Sequence, residues 1–479
     1  MSNYLFQNIS GIFGGLPKEV VDILNTIEPV EEQGKIPQLT DEVKQDLGLD
    51  EEGNVSLSNE YIIGKENEIF GSKIYDVSES IAESVNQVIS DENNAVQNAK
   101  AIIKNNVTKK IIDVAKQNYG DDLKNNDAKK IENELNAKVE NIIDRQVQNH
   151  VIDSKIIEQE KNQELQKRFE TGKTTEEIDK EYEKKQQEVD NKFQNDLIKA
   201  IQDFTEESKK ETVKKVETKI KENEKKTIED GIRDHLRGFS RTIPSFLMAY
   251  GDDTVTLATF DTRVPGNVFK EVTSITLEQF RFLRDGGKYT DEETGEEKQF
   301  KGKLFDEVVF DDSIRVFLEL KKRLADYFDE KSIEDIFDYI PPQKTNQIYT
   351  PKKVVKNMVD MLEKENPGCF DDPDKTFIDL YMKSGLYIAE IVKRLYQSPK
   401  MQELFPNKDE RLKHIFEKQV FGLAPTEIIY KIATSFILGF DEDVRIKNHN
   451  FRQVDALPYA KDGKLEELLE GLYGKNIKD

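Results

Sequence analysis

Apolar and polar positions along the chain change rhythm twice. Through residues 76–230 the apolar side chains are sparse and recur at helical spacing: Val107, Ile111, Ile112 and Val114, then Ile131, Leu135, Val139, Ile142 and Ile143. Gly and Pro almost vanish there, and Lys, Glu, Asn and Gln fill the positions between. A narrow apolar stripe on a charged surface predicts long amphipathic helices that bury only one edge. Two breaks interrupt them, at "NYGDDLKNND" and at "ETGKTTEEID", where Thr174 and Glu177 have capping-box spacing. The expected arrangement is a helical hairpin or antiparallel arm. No apolar heptad persists long enough for an uninterrupted two-stranded coiled coil.

From Gly231 the rhythm shortens to brief apolar runs rich in β-branched residues and punctuated by Gly and Pro. Residues 231–340 therefore predict a compact mixed α/β unit, with "DDSIRVFLELKKRLADYFDE" as an amphipathic helix and "DYIPPQKTNQIYTP" as a non-helical link. Residues 341–479 then alternate: a helix from Pro351, strand "TFIDLYM", a helix from about Leu386, strand "QVFGLAP", helix "TEIIYKIATSFILGF" and strand "HNFRQVDAL". That βαβαβ order predicts a parallel sheet. Residues 1–75 are mixed, with a short helix from about Pro17 and an acidic, loop-rich stretch after it.

Composition narrows the chemistry. The 479 residues are 36% hydrophobic and 34% charged, with a formal net charge of −23. Such a surface repels phosphates, so any nucleic-acid contact needs a local basic face. Arg233, His235, Arg237 and Arg241 form one, read either as a solvated helix face or as phosphate contacts. One cysteine, Cys369, excludes an internal disulfide framework and fits a reducing cytoplasm. Four scattered histidines predict no metal cluster. The N-terminal stretch lacks the pattern of a signal peptide, and no apolar run is long enough to span a membrane. "GKTT" at 172–175 lacks the upstream glycine of a phosphate loop, since Lys167 stands there, and reads as a capped helix break.

The stretch "FIDLYMKSGLYIAEIVKRL", residues 377–395, reads as a buried strand turning tightly into a helix. That is the layout of a nucleotide-type ligand loop, or simply of a strand joined to a helix. Four short motifs follow in order: "QIYTP" at 347–351, "DLYMKSG" at 379–385, "FGLAP" at 421–425 and "VDAL" at 454–457. Together they resemble the opening part of an adenine-specific DNA methyltransferase domain. The resemblance implies a partial Rossmann-like fold binding S-adenosylmethionine. Thr350 and Pro351 would open a helix beside the methionine end, and Asp379, Ser384 and Gly385 would form the loop after the first strand. Asp455 would meet the adenine.

The departures are as specific. Leu380 and Lys383 replace a loop proline and glycine, and Ala424 or Pro425 stands where the family places a ribose carboxylate. The catalytic Asn/Asp-Pro-Pro-Tyr/Phe motif does not occur in the sequence; "LPY" at 457–459 directly follows the third motif. The resemblance thus implies weak or vestigial cofactor binding and no catalytic residue within the chain. "HLRGFSRTIPSFLMAYG" and "IFDYIPPQKTNQIYTPKKVVKNMVDMLE" resemble the rear of large bacterial restriction enzymes that join a helicase to a methylase. This implies a partial subunit of a restriction-modification system, with the 76–230 arm as a spacer, and DNA, sister subunits or a separate catalytic half as partners. The alternative is a non-enzymatic DNA-positioning or subunit-docking scaffold.

Overall fold

The computed structural model describes residues 16–30, 34–50, 52–71, 94–291, 294–328, 334–341, 349–439 and 446–474. The start of the 76–230 stretch and residues 342–348 of the link lie outside them. Residues up to Asp41 together with Thr227–Asp479 form one compact unit, and Glu42–Lys226 forms another. Residues 231–340 and 341–479, read separately from the sequence, thus share one unit. No described helix is long and apolar enough to cross a membrane.

In the Glu42–Lys226 unit the helical stripe becomes a seam. Helix Asn125–Gln166 buries Ile131, Leu135, Val139 and Ile143, and these share one core with Phe193, Leu197, Ile201, Val213 and Val216 of helix Thr175–Ser240. Polar side-chain pairs fix the antiparallel direction. Asp127 meets Lys219 at 2.5 Å, His150 meets Asp190 at 2.8 Å and Lys161 meets Asp179 at 2.8 Å, so numbers rise on one helix as they fall on the other. The reversal contains the expected cap. Thr174 N–H donates to Glu177 Oε2 at 2.9 Å, and Glu177 N–H donates to Thr174 Oγ1 at 3.3 Å. Toward the reversal the apolar seam thins, leaving Val151, Ile152, Ile156 and Phe169 exposed.

The other unit has a phenylalanine core. Phe239, Phe246, Phe260, Phe269, Phe280 and Phe310 are each almost fully buried, with ring centroids such as Phe246–Phe269 at 5.6 Å and Phe239–Phe280 at 5.5 Å. Around it lie mainly short helices and one hairpin, β1 (Gly287–Thr290) with β2 (Glu297–Phe300). Helix Ile243–Tyr250 is closed at its C-terminal end by Lys321, whose Nζ donates to the Leu247 and Met248 carbonyls at 3.2 and 3.0 Å. Burial pushes that ammonium down to about 8.

The N-terminal residues belong to this unit for a local reason. His235 presents its two ring nitrogens to the Ile27 and Gly34 carbonyls at 2.6 and 3.2 Å, and Val30 N–H donates to the Asp234 carbonyl at 3.2 Å. Gly238 permits the approach, because a β-carbon there would stand 1.8 Å from the Glu28 carbonyl oxygen.

The second layer system of this unit is a parallel sheet of β3 (Phe377–Asp379), β4 (Val420–Ala424) and β5 (Asn450–Gln453), in that spatial order. Helices Leu386–Gln397 and Glu427–Leu438 connect the strands and pack on them. Ile378, Phe421 and Leu423 turn to helix Leu465–Tyr473, whose Tyr473 hydroxyl donates to the Asn450 carbonyl at 2.9 Å. Helix Glu427–Leu438 also meets the phenylalanine-rich part: Tyr327 donates to the Ile437 carbonyl at 2.9 Å, and Phe337 stands edge-on to Phe436 at 4.9 Å.

Candidate functional site

Parallel strands all end on the same side, so whatever follows them gathers along one edge. Here that edge carries the Leu380–Gly385 turn, Pro425–Thr426 and Val454–Ala456. Two backbone bonds tie them together: Met382 N–H to the Leu423 carbonyl at 2.7 Å, and Val454 N–H to the Ala424 carbonyl at 2.9 Å. The structure therefore brings Asp379, Ser384, Gly385 and Asp455 to one edge of one sheet.

Asp379 ends β3, opposite Gly422 in register. Its Oδ1 accepts from Tyr381 N–H at 3.0 Å, which bends the chain into the turn. Among the described residues no cation pairs with it. Burial holds its carboxyl above the usual carboxylate range, with the Tyr381 bond opposing the shift. The carboxylate in turn helps burial to raise the neighbouring Tyr387 phenol.

The rest of the turn is packed. Met382 is fully buried, and a β-carbon on Gly422 would stand 2.9 Å from its sulfur and 3.1 Å from Phe451. Its side chain thus plugs the space above β4. Ser384 is buried, and its Oγ accepts from Leu386 N–H at 3.2 Å, closing the first turn of the following helix. Gly385 has φ +84°, and an added β-carbon would meet Ile437 at 2.8 Å and the Ala433 carbonyl at 3.3 Å. The glycine serves helix-to-helix packing. Half-buried Lys383 sets its ammonium 5.9 Å from the centroid of the exposed Tyr381 ring.

At the end of β4, Ala424 is buried and offers no carboxylate, and Thr426 caps helix Glu427–Leu438. The first acid after it is Glu427, which the sequence reading passed over. Its Oε2 accepts from Asn267 Nδ2 at 3.0 Å, which commits it to the contact with the phenylalanine-rich part. The motif spacing could not show this, since Asn267 lies 160 residues upstream. Asp455 is exposed, and its Oδ1 accepts from Leu457 N–H at 3.0 Å. Thr350 is exposed, and Pro351 is the N-cap of helix Lys352–Glu365. That helix is held to Leu386–Gln397 through Arg394, which reaches Glu363 at 2.7 Å and also Asp360. Beside Thr350, the buried Tyr349 hydroxyl has no hydrogen-bond partner among the described residues, and burial pushes its phenol up to about 12.

The basic cluster is already engaged. Arg233 pairs with Asp230 at 2.9 Å, and Arg237 pairs with the buried Asp234 at 2.6 Å, both one helical turn back. Arg241 lies beyond them, bordering a cavity against helix Ile243–Tyr250.

The chain is similar over 129 residues, at 26% identity, to a protein of Mycoplasma pneumoniae described as an uncharacterized adenine-specific methylase. The similarity covers 26% of this chain and 30% of that protein, so the chain spans under a third of the relative's length. No protein-family model matches the chain, and no solved structure does.

Proposed function

We propose that the β3–β5 edge is a reduced S-adenosylmethionine site in a partial Rossmann-like domain related to adenine-specific DNA methyltransferases. One observation carries this reading: Asp379, the turn to Gly385 and Asp455 converge on the C-terminal edge of a parallel sheet, with the half-buried Asp379 carboxylate, unpaired with any cation among the described residues, at the end of β3. A carboxylate desolvated at such an edge is a candidate for ligand contact. The methylase similarity supports the same assignment. The site is reduced because Met382 fills the turn, Gly385 faces Ile437, and Ala424 leaves no acid for the ribose hydroxyls.

Within this reading Asp379, Ser384 and Gly385 would shape the loop beside the methionine end, Thr350 and Pro351 would flank it, and Asp455 would accept from the adenine. The cofactor, when bound, supplies an activated methyl group. No residue of this sequence takes the place of the missing Asn/Asp-Pro-Pro-Tyr/Phe motif that grips a flipped adenine, so the chain alone would not transfer it. Its place would be as a partial subunit of a DNA restriction-modification system, with DNA and sister subunits as partners. A second reading, a DNA-positioning or docking scaffold without cofactor, is favoured by the buried Met382 plug.

Incubating the protein with radiolabelled S-adenosylmethionine and mixed-sequence duplex DNA separates these readings from a complete enzyme. The expected result is weak retention of cofactor in equilibrium dialysis and no label in adenine. Labelled adenine that disappears in Asp379→Ala would overturn the proposal, and no retention at millimolar cofactor would favour the scaffold.

A further inference from the structure

Within the Glu42–Lys226 unit, helices Asn59–Ile69, Lys109–Tyr119 and Thr175–Ser240 border a cavity of about 300 Å³. Glu217 stands on its wall and is only 5% exposed. The Tyr61 hydroxyl donates to Glu217 Oε2 at 2.8 Å, and among the described residues Oε1 makes no hydrogen bond and no cation pairs with the group. A carboxylate that has lost its water is ordinarily matched by a cation, because the bare charge is costly. Tyr119 lines the same wall, and its hydroxyl is shut off from water with no hydrogen-bond partner among the described residues. Burial, and after it Glu217, holds both phenols well above their ordinary range. The two tyrosines therefore stay neutral, and the negative charge rests on the carboxylate.

We propose that this cavity binds a small aliphatic diammonium ion, with one ammonium on Glu217 and the second drawn by Asp122. The sign of the ligand follows from the balance of the lining. Two lysines also border the space, and each is matched one turn along its own helix: Lys65 with Glu68 at 2.9 Å and Lys221 with Glu224 at 3.0 Å. Glu217 and Asp122 are left without a cation among the described residues. The remaining polar groups also suit a donor. Asn118 Nδ2 donates to the Val114 carbonyl at 2.8 Å, which leaves its Oδ1 as an acceptor. An ammonium carries only donors, and tyrosine rings favour an organic cation over a bare one. A metal ion is the poorer match, since among the described residues no three His, Cys, Asp or Glu side chains are grouped to hold one. The volume is at the lower end of the roughly 300–1,000 Å³ found for small-molecule sites.

The test uses the full chain with 1,4-diaminobutane as the probe, followed by saturation-transfer NMR titration at fixed ionic strength. 1-Aminobutane carries one of its charges, 1,4-butanediol none, and succinate the opposite sign. The diamine is expected to bind about tenfold more tightly than the monoamine, the contribution of one charge-assisted contact, with the diol weaker still and succinate not retained. Glu217→Gln keeps an acceptor for Tyr61 and removes the charge, and it should weaken the diamine by about tenfold or more. If that variant lowers the melting temperature, Asp122→Asn at an exposed position decides, and it should bring the diamine down to the monoamine. An acidic protein attracts cations everywhere, so Glu170→Gln, an exposed acid beside the hairpin reversal, is the control and should change nothing. Equal affinity for diamine and diol, or retention of succinate, would overturn the proposal. So would an equal loss in Glu170→Gln and the site variants, or no diamine binding at millimolar concentration, which would mean that a lysine of the lining supplies the missing charge.

Discussion

Asp379 is the residue on which the site reading turns, and its titration is testable without any ligand. Burial raises its carboxyl above the unperturbed 3.8, so the folded state holds the proton more tightly than the unfolded one. The sign follows: stability falls as pH rises from the unfolded value through the raised folded one. Asp379→Asn keeps an acceptor for Tyr381 N–H and removes the charge. Its melting temperature should exceed that of the native protein at pH 7, with the gain shrinking toward pH 4 and below. A pH-independent difference would mean that the carboxylate is not the source. Gly385 offers the complementary test of packing. With φ +84° and Ile437 at 2.8 Å from an added β-carbon, Gly385→Ala should cost about 1–3 kcal/mol in denaturant unfolding. Adding Ile437→Val, which removes one of the crowding atoms, should restore part of it. A neutral Gly385→Ala would show that the glycine is not needed for this contact.

Elements with a regular period were legible in the sequence; contacts between distant elements were not. The stripe of Ile131, Leu135, Val139 and Ile143 is buried as its spacing implies, because helical periodicity is a local property. The Thr174–Glu177 cap forms for the same reason. The parallel pairing of β3, β4 and β5 follows from alternation of strands and helices. By contrast, the packing of the N-terminal residues along His235 and Gly238 carries no periodic signal, and neither does the Met382 plug. Arg233 and Arg237 pair with acids three residues earlier, a spacing the sequence shows and one that fits the reading of the cluster as a helix face. For the arm itself, apolar seam and surface charge make different claims on stability. Leu135 is fully buried, whereas Lys215 is partly exposed and reaches Glu134 and Glu211. Leu135→Ala should cost about 2–5 kcal/mol and Lys215→Ala less than about 1 kcal/mol in urea unfolding followed by helical signal. Comparable losses would mean that the ion pairs, and not the seam, hold the hairpin.

At the scale of the whole molecule, the net charge of −23 and the paired arginines bear on any role with DNA. Three free phosphate contacts at the cluster would give a log–log salt slope near −2.7, at about −0.9 per neutralised phosphate. With Arg233 and Arg237 holding Asp230 and Asp234, a slope much shallower than −2.7 is expected in fluorescence-anisotropy titrations of duplex DNA. A slope near −2.7 that collapses in an Arg233→Ala, Arg237→Ala, Arg241→Ala triple variant would show that phosphate displaces the acids. Sequence preference should be absent, since phosphate contacts carry no base information. The cofactor question is decided most directly by isothermal calorimetry of S-adenosylmethionine binding to the full chain and to Asp379→Ala. A filled turn and a missing ribose acid, the latter alone worth about 1.5–3 kcal/mol, place the expected dissociation constant at about 100 μM or weaker. Binding in that range that is lost in Asp379→Ala agrees with a reduced site at the β3–β5 edge. A low-micromolar constant, or binding that Asp379→Ala leaves intact, would contradict it.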